Sequence, residues 1–309
     1  KSQPSESDTV WSKSIGSEVK AVKFSPDGQF IYAAAIGRKP MKLSTETGEI
    51  LREYEGFNYE ADLHFSALDI SSDGKWLIGG EYGNNMFIID TETGSIVKTL
   101  TTEYQEIQSN KFNTVTITPD KRYIIATNRF RFDAVTPMNG IVIWDATSGE
   151  LIKVINSINV IKVKASPDNS HFAVSYYDES QSEIQIYDVG TWEISTSLCC
   201  HSSLIQDIAF SPDGSLIASG GSGGEIKIWD IPNQTLRESL TDYGNLTSIA
   251  FLNNSTIVCD GNIDFVNRYT KIWNINQKEV IGMIKTNKPW DLDVDLNSNN
   301  CVLALTNYV

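Results

Sequence analysis

Long apolar runs are scarce in this sequence of 309 residues, and none is long enough to cross a bilayer. Histidine is also scarce: the chain has His64, His171 and His201 only. Because these three fall in different copies of the repeat described below, we expect no three-histidine metal centre. The four cysteines form no Cys-x-x-Cys pair, which argues against a structural zinc site. We therefore predict no metal and no cofactor.

Basic side chains are outnumbered, with 25 lysines and arginines against 39 acidic residues and a net charge of −14. So acidic a surface repels nucleic acid phosphates and anionic lipid headgroups. The sequence thus predicts no nucleic acid partner and no membrane insertion. No signal peptide is visible, yet the chain starts at Lys1 without Met, which favours a secreted or cell-surface location over the cytoplasm.

No segment has a convincing helical period, but a turn motif recurs along the whole chain. Its clearest copies are Phe24-Ser25-Pro26-Asp27-Gly28 and Phe210-Ser211-Pro212-Asp213-Gly214. The second residues of the seven copies are at positions 25, 71, 118, 166, 211, 252 and 295, the last two copies being degenerate. A period in the forties with several short strands per unit is typical of β-propeller blades.

Each unit contains four short strands, which the fifth shows most clearly. Its predicted strands are 204–210, 216–220, 225–230 and 235–240, with a Pro-Asp-Gly turn after the first and a glycine-rich turn after the second. The sequence therefore predicts an all-β fold, a seven-bladed propeller of four-stranded antiparallel blades. We expect a flexible segment over 1–8 and one domain over 9–309.

Three tripeptides end the third strand of their units: Ile143-Trp144-Asp145, Ile228-Trp229-Asp230 and Ile272-Trp273-Asn274. They resemble the dipeptide of WD40 repeats, and the units are also similar to the YVTN-type propellers of bacterial surface layers. The resemblance covers essentially the whole chain and implies architecture better than function. WD40 repeats often carry a His, Ser or Thr, Asp and Trp tetrad.

Only the fifth blade approaches that tetrad, with His201, Ser219 and Trp229. Where the Asp belongs, the chain has Ser222-Gly223, and the other blades lack the histidine as well. We therefore expect the blades to be held mostly by apolar packing.

The ring must also close, because open sheet edges invite aggregation. The last repeat supplies two strands, 290–296 and 301–306, before the chain stops at Val309. Residues 9–15 resemble the outer strands of other units. The seventh blade is thus predicted to use this N-terminal strand and to be incomplete at the C-terminus.

Two patterns could carry chemistry. Residues 220–224 match the Gly-x-Ser-x-Gly nucleophile pattern, but that motif needs a strand-to-helix turn and here lies between two strands. Asp291, Asp293 and Asp295 alternate on one strand face, but the positions that a calcium loop needs as Gly and Glu hold Leu296 and Val302. Other units place Lys23, Asp69, Thr116, Lys164, Ala209 and Ala250 at the position of Asp293. This suggests a mixed polar ring at the central channel, although a cation at Asp69 and Asp293 stays open.

Binding is expected on the face that carries the loops between strands two and three and between consecutive blades, because loops on a rigid frame carry function. The third blade has the long loop 128–139, and Arg and aromatic residues are common interface anchors. The predicted partner-binding residues are Arg129, Phe130, Arg131, Phe132, Tyr82, Tyr104, Tyr177, Asp178, Arg268, Tyr269 and Trp290.

The sequence favours a non-enzymatic scaffold that binds a protein or peptide on this face, within a larger complex. Two alternatives remain open: a propeller enzyme of lactonase or hydrolase type with a metal at the channel, and a secreted or cell-surface structural component. The pattern identifies no catalytic residue.

Overall fold

The computed structural model of this chain consists of antiparallel β-sheets. It describes residues 13–17, 19–56, 65–81, 85–101, 111–129, 140–157, 159–178, 181–242, 244–262, 267–287, 294–297 and 300–303. Within these ranges the secondary structure is strand and turn, as the lack of helical periodicity predicted.

Six four-stranded sheets follow one another along the chain, each with its strands in sequential order. The first three are β1 (Val19–Phe24), β2 (Phe30–Ala35), β3 (Met41–Ser44), β4 (Ile50–Glu53); β5 (Phe65–Ile70), β6 (Trp76–Glu81), β7 (Met86–Asp90), β8 (Ile96–Leu100); and β9 (Lys111–Ile117), β10 (Tyr123–Arg129), β11 (Gly140–Asp145), β12 (Leu151–Asn156).

The next three sheets repeat the arrangement. They are β13 (Val160–Ala165), β14 (His171–Asp178), β15 (Gln181–Asp188), β16 (Ile194–His201); β17 (Ile205–Phe210), β18 (Leu216–Gly221), β19 (Glu225–Asp230), β20 (Thr235–Thr241); and β21 (Asn245–Asn253), β22 (Thr256–Asn262), β23 (Asn267–Asn274), β24 (Glu279–Asn287). The predicted propeller of four-stranded antiparallel blades is confirmed, and the predicted strands of the fifth blade agree with the observed ones to within one residue at each end.

The blade number needs correction. The described residues form six four-stranded blades rather than seven, because the last repeat contributes only a two-stranded sheet of β25 (Val294–Asn297) and β26 (Asn300–Leu303). β25 contacts both β21 and β1, so this sheet lies between the sixth and the first blades. Of the predicted N-terminal strand, residues 13–15 are not in a strand, and 9–12 lie outside the described residues, as does the segment 1–8.

The repeated turn between the first two strands has one local cause. In five blades a Ser or Thr hydroxyl donates to the Asp carboxylate two residues later, at 2.5 to 2.7 Å. The same hydroxyl oxygen accepts the backbone N–H five residues downstream and so fixes the start of the second strand. The pairs are Ser25–Asp27, Ser71–Asp73, Thr118–Asp120, Ser166–Asp168 and Ser211–Asp213.

Apolar packing between consecutive blades forms the core. One cluster joins the second and third blades through residues such as Ile78, Met86, Phe112 and Trp144, all fully buried. A similar cluster joins the fifth and sixth blades around Ile226, Leu246 and Ile257. A blade buries both faces against its neighbours, which explains the near-continuous apolar second and third strands.

The innermost strands of neighbouring blades are also tied by polar contacts. Asp69 accepts the backbone N–H of Ile117 in the next blade at 2.9 Å. Thr116 accepts the N–H of Ala165 at 3.2 Å. These side chains replace the ladder hydrogen bonds that separate sheets cannot make with each other.

The outer strands show how the edges are protected. In all six blades the register of the outer strand shifts opposite the end of the third strand. A β-bulge at an edge twists it away from pairing with another chain. Among the side chains that the structure describes, each outer strand exposes one large aliphatic residue: Leu51, Val97, Ile152, Ile194, Leu236 and Ile281.

Candidate interaction face

The predicted binding residues that the structure describes lie at one end of their blades. Arg129 ends β10, Tyr177 and Asp178 end β14, and Arg268 and Tyr269 lie near the start of β23. At these points the second strand of a blade, called b, ends and its third strand, called c, begins. Because every blade has the same strand order, these ends share one face, which we call the b–c face.

The side chains of these residues differ in exposure. Tyr177 is 37 % exposed and is the one aromatic among the large apolar side chains that the described residues expose. Tyr269 is half-buried. The predicted residues Phe130, Arg131, Phe132, Tyr82, Tyr104 and Trp290 lie outside the described residues, so the long loop of the third blade stays a prediction.

The fifth blade shows how the b–c face is built where both of its loops are described. The Ser222 N–H donates to the Leu204 carbonyl at 2.9 Å, and the Gly223 N–H donates to the Ser203 hydroxyl at 3.0 Å. The turn between β18 and β19 is thus fastened to the loop that enters the blade. This confirms that the Gly-x-Ser-x-Gly segment is a hairpin turn, since a strand follows it and not a helix.

A buried polar chain lies beneath this turn. The indole N–H of Trp229 donates to Ser219 Oγ at 3.1 Å, and Ser219 Oγ lies 2.6 Å from His201 Nε2. The other ring nitrogen, His201 Nδ1, is 3.1 Å from Glu225 Oε2. All four parts of a tetrad are therefore present.

The acid of this tetrad is the residue that sequence reasoning missed. The WD40 pattern places the acid at Ser222-Gly223, but Glu225 supplies the carboxylate from β19. Glu225 also accepts the Ser202 N–H at 3.0 Å and lies 3.1 Å from Lys227 Nζ. A Glu reaches from the strand to the place that an Asp would reach from the turn. The sequence feature that could have identified this acid is a carboxylate four residues before Trp229, at the start of the same strand.

The three tryptophans near the ends of third strands differ in which group, if any, accepts their indole N–H. Trp144 donates its indole N–H to the Thr101 carbonyl at 3.2 Å, whereas Trp229 donates to Ser219. The indole nitrogen of Trp273 is buried, and among the described residues it has no hydrogen-bond partner. In the register of the sixth blade Cys259 stands where the fifth has Ser219, each opposite a lysine two residues before the tryptophan.

We predict that Cys259→Ser stabilises the chain. The new hydroxyl would accept the orphaned indole N–H of Trp273, as Ser219 does for Trp229, and raise the free energy of unfolding by about 1 kcal/mol. Burial holds the pKa of the Cys259 thiol well above its usual range, so the native side chain is a neutral thiol with little hydrogen-bonding capacity. Urea unfolding is the measurement.

Cys259→Ala is the matched control, because it leaves the indole nitrogen without a partner and adds a small void. It should unfold at lower urea than the wild type. If Cys259→Ser is no more stable than Cys259→Ala, the proposed pairing does not form.

The sixth blade carries a second buried polar cluster. Lys271, on β23, forms an ion pair with Asp242, which follows the last strand of the fifth blade, and both are less than 10 % exposed. Nearby, the fully buried Asp260 accepts the Thr270 hydroxyl at 2.9 Å. Buried charges are tolerated when paired, so this cluster joins the two blades in one geometry.

Among the described side chains no three His, Cys, Asp or Glu residues lie together as a metal site. Of the two aspartates that could hold a cation at the channel, Asp69 is described and Asp293 lies outside the described residues. The described part of the chain has no helix that could span a membrane.

The blade topology defines a β-propeller, and its tetrad and Trp-Asp strand ends resemble those of WD40 repeats. The family described as "WD domain, G-beta repeat" matches residues 192–230, the stretch that contains this tetrad. Together with the relatives described next, this match supports the assignment of the chain to the WD40 β-propeller family.

The curated proteins similar to this chain include several named RACK1. "Small ribosomal subunit protein RACK1y" of Oryza sativa subsp. japonica is 29 % identical over 102 residues, 33 % of this chain and 29 % of the relative. RACK1 of Schizosaccharomyces pombe is 35 % identical over 72 residues, 23 % of each chain. RACK1 of Caenorhabditis elegans is 26 % identical over 102 residues, 33 % of this chain and 30 % of the relative. The matches span less than a third of these relatives' length.

Proposed function

We propose that this chain is a non-enzymatic scaffold that binds a protein or peptide partner on its b–c face. The WD40 and RACK1 similarities support a protein-interaction scaffold as the general function. The choice of this face rests on Tyr177, because a tyrosine combines a large contact area with few side-chain degrees of freedom. A frame of blades joined by buried polar and apolar contacts can present such residues at little entropic cost.

The partner's chemistry follows from charge and side-chain type. The net charge of −14 favours a protein or peptide with basic groups over a phosphate polymer. The relatives named small ribosomal subunit proteins make a ribosomal protein one class of partner to test. Nuclease treatment during purification distinguishes a protein contact, which survives, from a contact through RNA, which is lost.

We further propose that the sheet of β25 and β26 is the inner half of a seventh blade. Its position between the sixth and first blades supports this proposal. A segment before Lys13 would then supply the outer strand.

Tyr177→Ala should weaken partner binding about 30-fold or more, because truncating an aromatic hot-spot residue costs about 2 kcal/mol or more. The partner is first identified by co-purification from the native source, and its Kd is then measured for wild type and variant. Phe130→Ser together with Phe132→Ser extends the test to the loop of the third blade.

Ile194→Ala is the matched control, since Ile194 is 50 % exposed but lies on an outer strand away from the b–c face. Its Kd should equal that of the wild type. Loss of binding in Ile194→Ala with none in Tyr177→Ala would place the binding site on the outer strands instead of the b–c face. Turnover of an ester or lactone by the purified chain would contradict the scaffold function.

A further inference from the structure

The buried polar chain of the fifth blade has a defined proton order. Trp229 can only donate, so its N–H uses a lone pair of Ser219 Oγ and leaves the serine hydrogen for His201 Nε2. Because Nδ1 lies 3.1 Å from the Glu225 carboxylate, we assign the proton of the neutral imidazole to Nδ1, so that Nε2 accepts from Ser219. Trp229 and Ser219 thus donate in one direction, toward His201, whose Nδ1 lies 3.1 Å from Glu225 Oε2 without the geometry of a hydrogen bond.

This chain joins two blades at the b–c face. His201 ends β16, the outer strand of the fourth blade, whereas Ser219, Glu225 and Trp229 belong to the fifth. The next residue, Ser202, donates its N–H to the same Glu225 carboxylate at 3.0 Å. The loop between the blades is therefore fastened through the carboxylate that faces the imidazole.

The groups around the imidazole are few. β19 brings Glu225 and Lys227, of opposite charge and 3.1 Å apart, and these are the charged groups that act on the ring within the described residues. β18 brings Ser219, and β15 brings Ser182, which pairs with His201 across the sheet. His201 is only 1 % exposed, so a proton from solvent cannot reach its ring unless the loop opens.

We propose that the chain from Trp229 through Ser219 and His201 to Glu225 is an acid-sensitive lock on the loop between the fourth and fifth blades. A second proton on His201 would sit on Nε2 and face the serine hydrogen. Ser219 would then have to turn its hydrogen to the Lys227 carbonyl, 3.4 Å away, while receiving two donors. Opening the loop instead places the charged ring in water.

The direction of the pH effect follows from linkage. Burial lowers the pKa of His201 from 6.5 to about 4, more strongly than the Glu225 charge raises it. Between these values the open state binds more protons than the closed state, so acid favours opening. From pH 7 to pH 5 the opening equilibrium should rise roughly 10- to 30-fold. Glu225 does not confound this window, because the Ser202 N–H and Lys227 outweigh burial and hold its pKa below 4.5.

Hydrogen–deuterium exchange tests the lock on the chain alone, so the result does not depend on the proposed partner. Peptides covering 201–204 and 221–226 should lose protection at pH 5 relative to pH 7, after correction for intrinsic exchange. His201→Gln should remove this pH dependence. His171→Gln, at a half-exposed histidine beside Asp188 in the fourth blade, should keep it.

Equal corrected protection at both pH values would overturn the lock, as would full pH dependence in His201→Gln. Because that variant risks misfolding, an NMR titration of the wild-type His201 ring gives a second readout. A midpoint well below 6.5 supports the lock, and a midpoint at or above 6.5 rejects it.

Discussion

Lys271→Met should lower the free energy of unfolding by about 3 to 5 kcal/mol, because it removes one partner of a buried ion pair. The carboxylate of Asp242 would stay buried at the junction of the fifth and sixth blades without the lysine charge beside it. Methionine nearly preserves the volume of the lysine stem, so the loss reports charge and not packing. Urea unfolding of wild type and variant is the measurement.

The double variant Lys271→Met with Asp242→Leu separates two explanations. Replacing both charges by apolar groups of similar size is often neutral, so this variant should recover most of the lost stability. Lys39→Met is the exposed control: its partner Glu55 is 2.7 Å away but 79 % exposed, and the change should cost under about 1 kcal/mol. A double variant as unstable as the single one would show that packing, not charge, decides.

Asp207→Ala should lower the free energy of unfolding by about 3 kcal/mol, because one carboxylate joins three blades. Its Oδ2 accepts the Ile249 N–H and the Ser248 hydroxyl, both at 3.0 Å, from the sixth blade. Its Oδ1 lies 3.6 Å from Lys162 Nζ of the fourth blade. Burial works against the charge, yet Lys162, Lys164 and these hydrogen bonds keep the pKa of Asp207 below its ordinary value.

Asp207→Asn should be intermediate, because an amide oxygen can still accept the Ile249 N–H while the charge is lost. Asp69→Ala is the matched comparison, since Asp69 is half-buried and accepts the Ile117 N–H of one neighbouring blade. It should cost about 1 to 2 kcal/mol. Equal losses at Asp69 and Asp207 would contradict the role given to burial and to Lys162 of the fourth blade.

Apolar packing was expected to do most of the joining of blades, and the structure adds a polar contribution that the sequence had hidden. Asp207, Asp242 and Glu225 each act across a junction between blades. Their partners are about 20 to 40 residues away in the chain, as with Ile249, 42 residues from Asp207. Spacing within one repeat cannot reveal such pairs, because they depend on how neighbouring sheets face each other.

The sequence by itself determined the all-β propeller and the bounds of the fifth blade's strands, since these depend on local causes. Alternation of apolar residues and the Ser/Thr-x-Asp turn act within a few residues. Only the tertiary structure decided which acid completes the tetrad, which tryptophan lacks a partner and how the last repeat sits between the first and sixth blades. Those outcomes depend on contacts between distant segments, where the reach of a side chain, such as Glu225 in place of an aspartate, decides which groups meet.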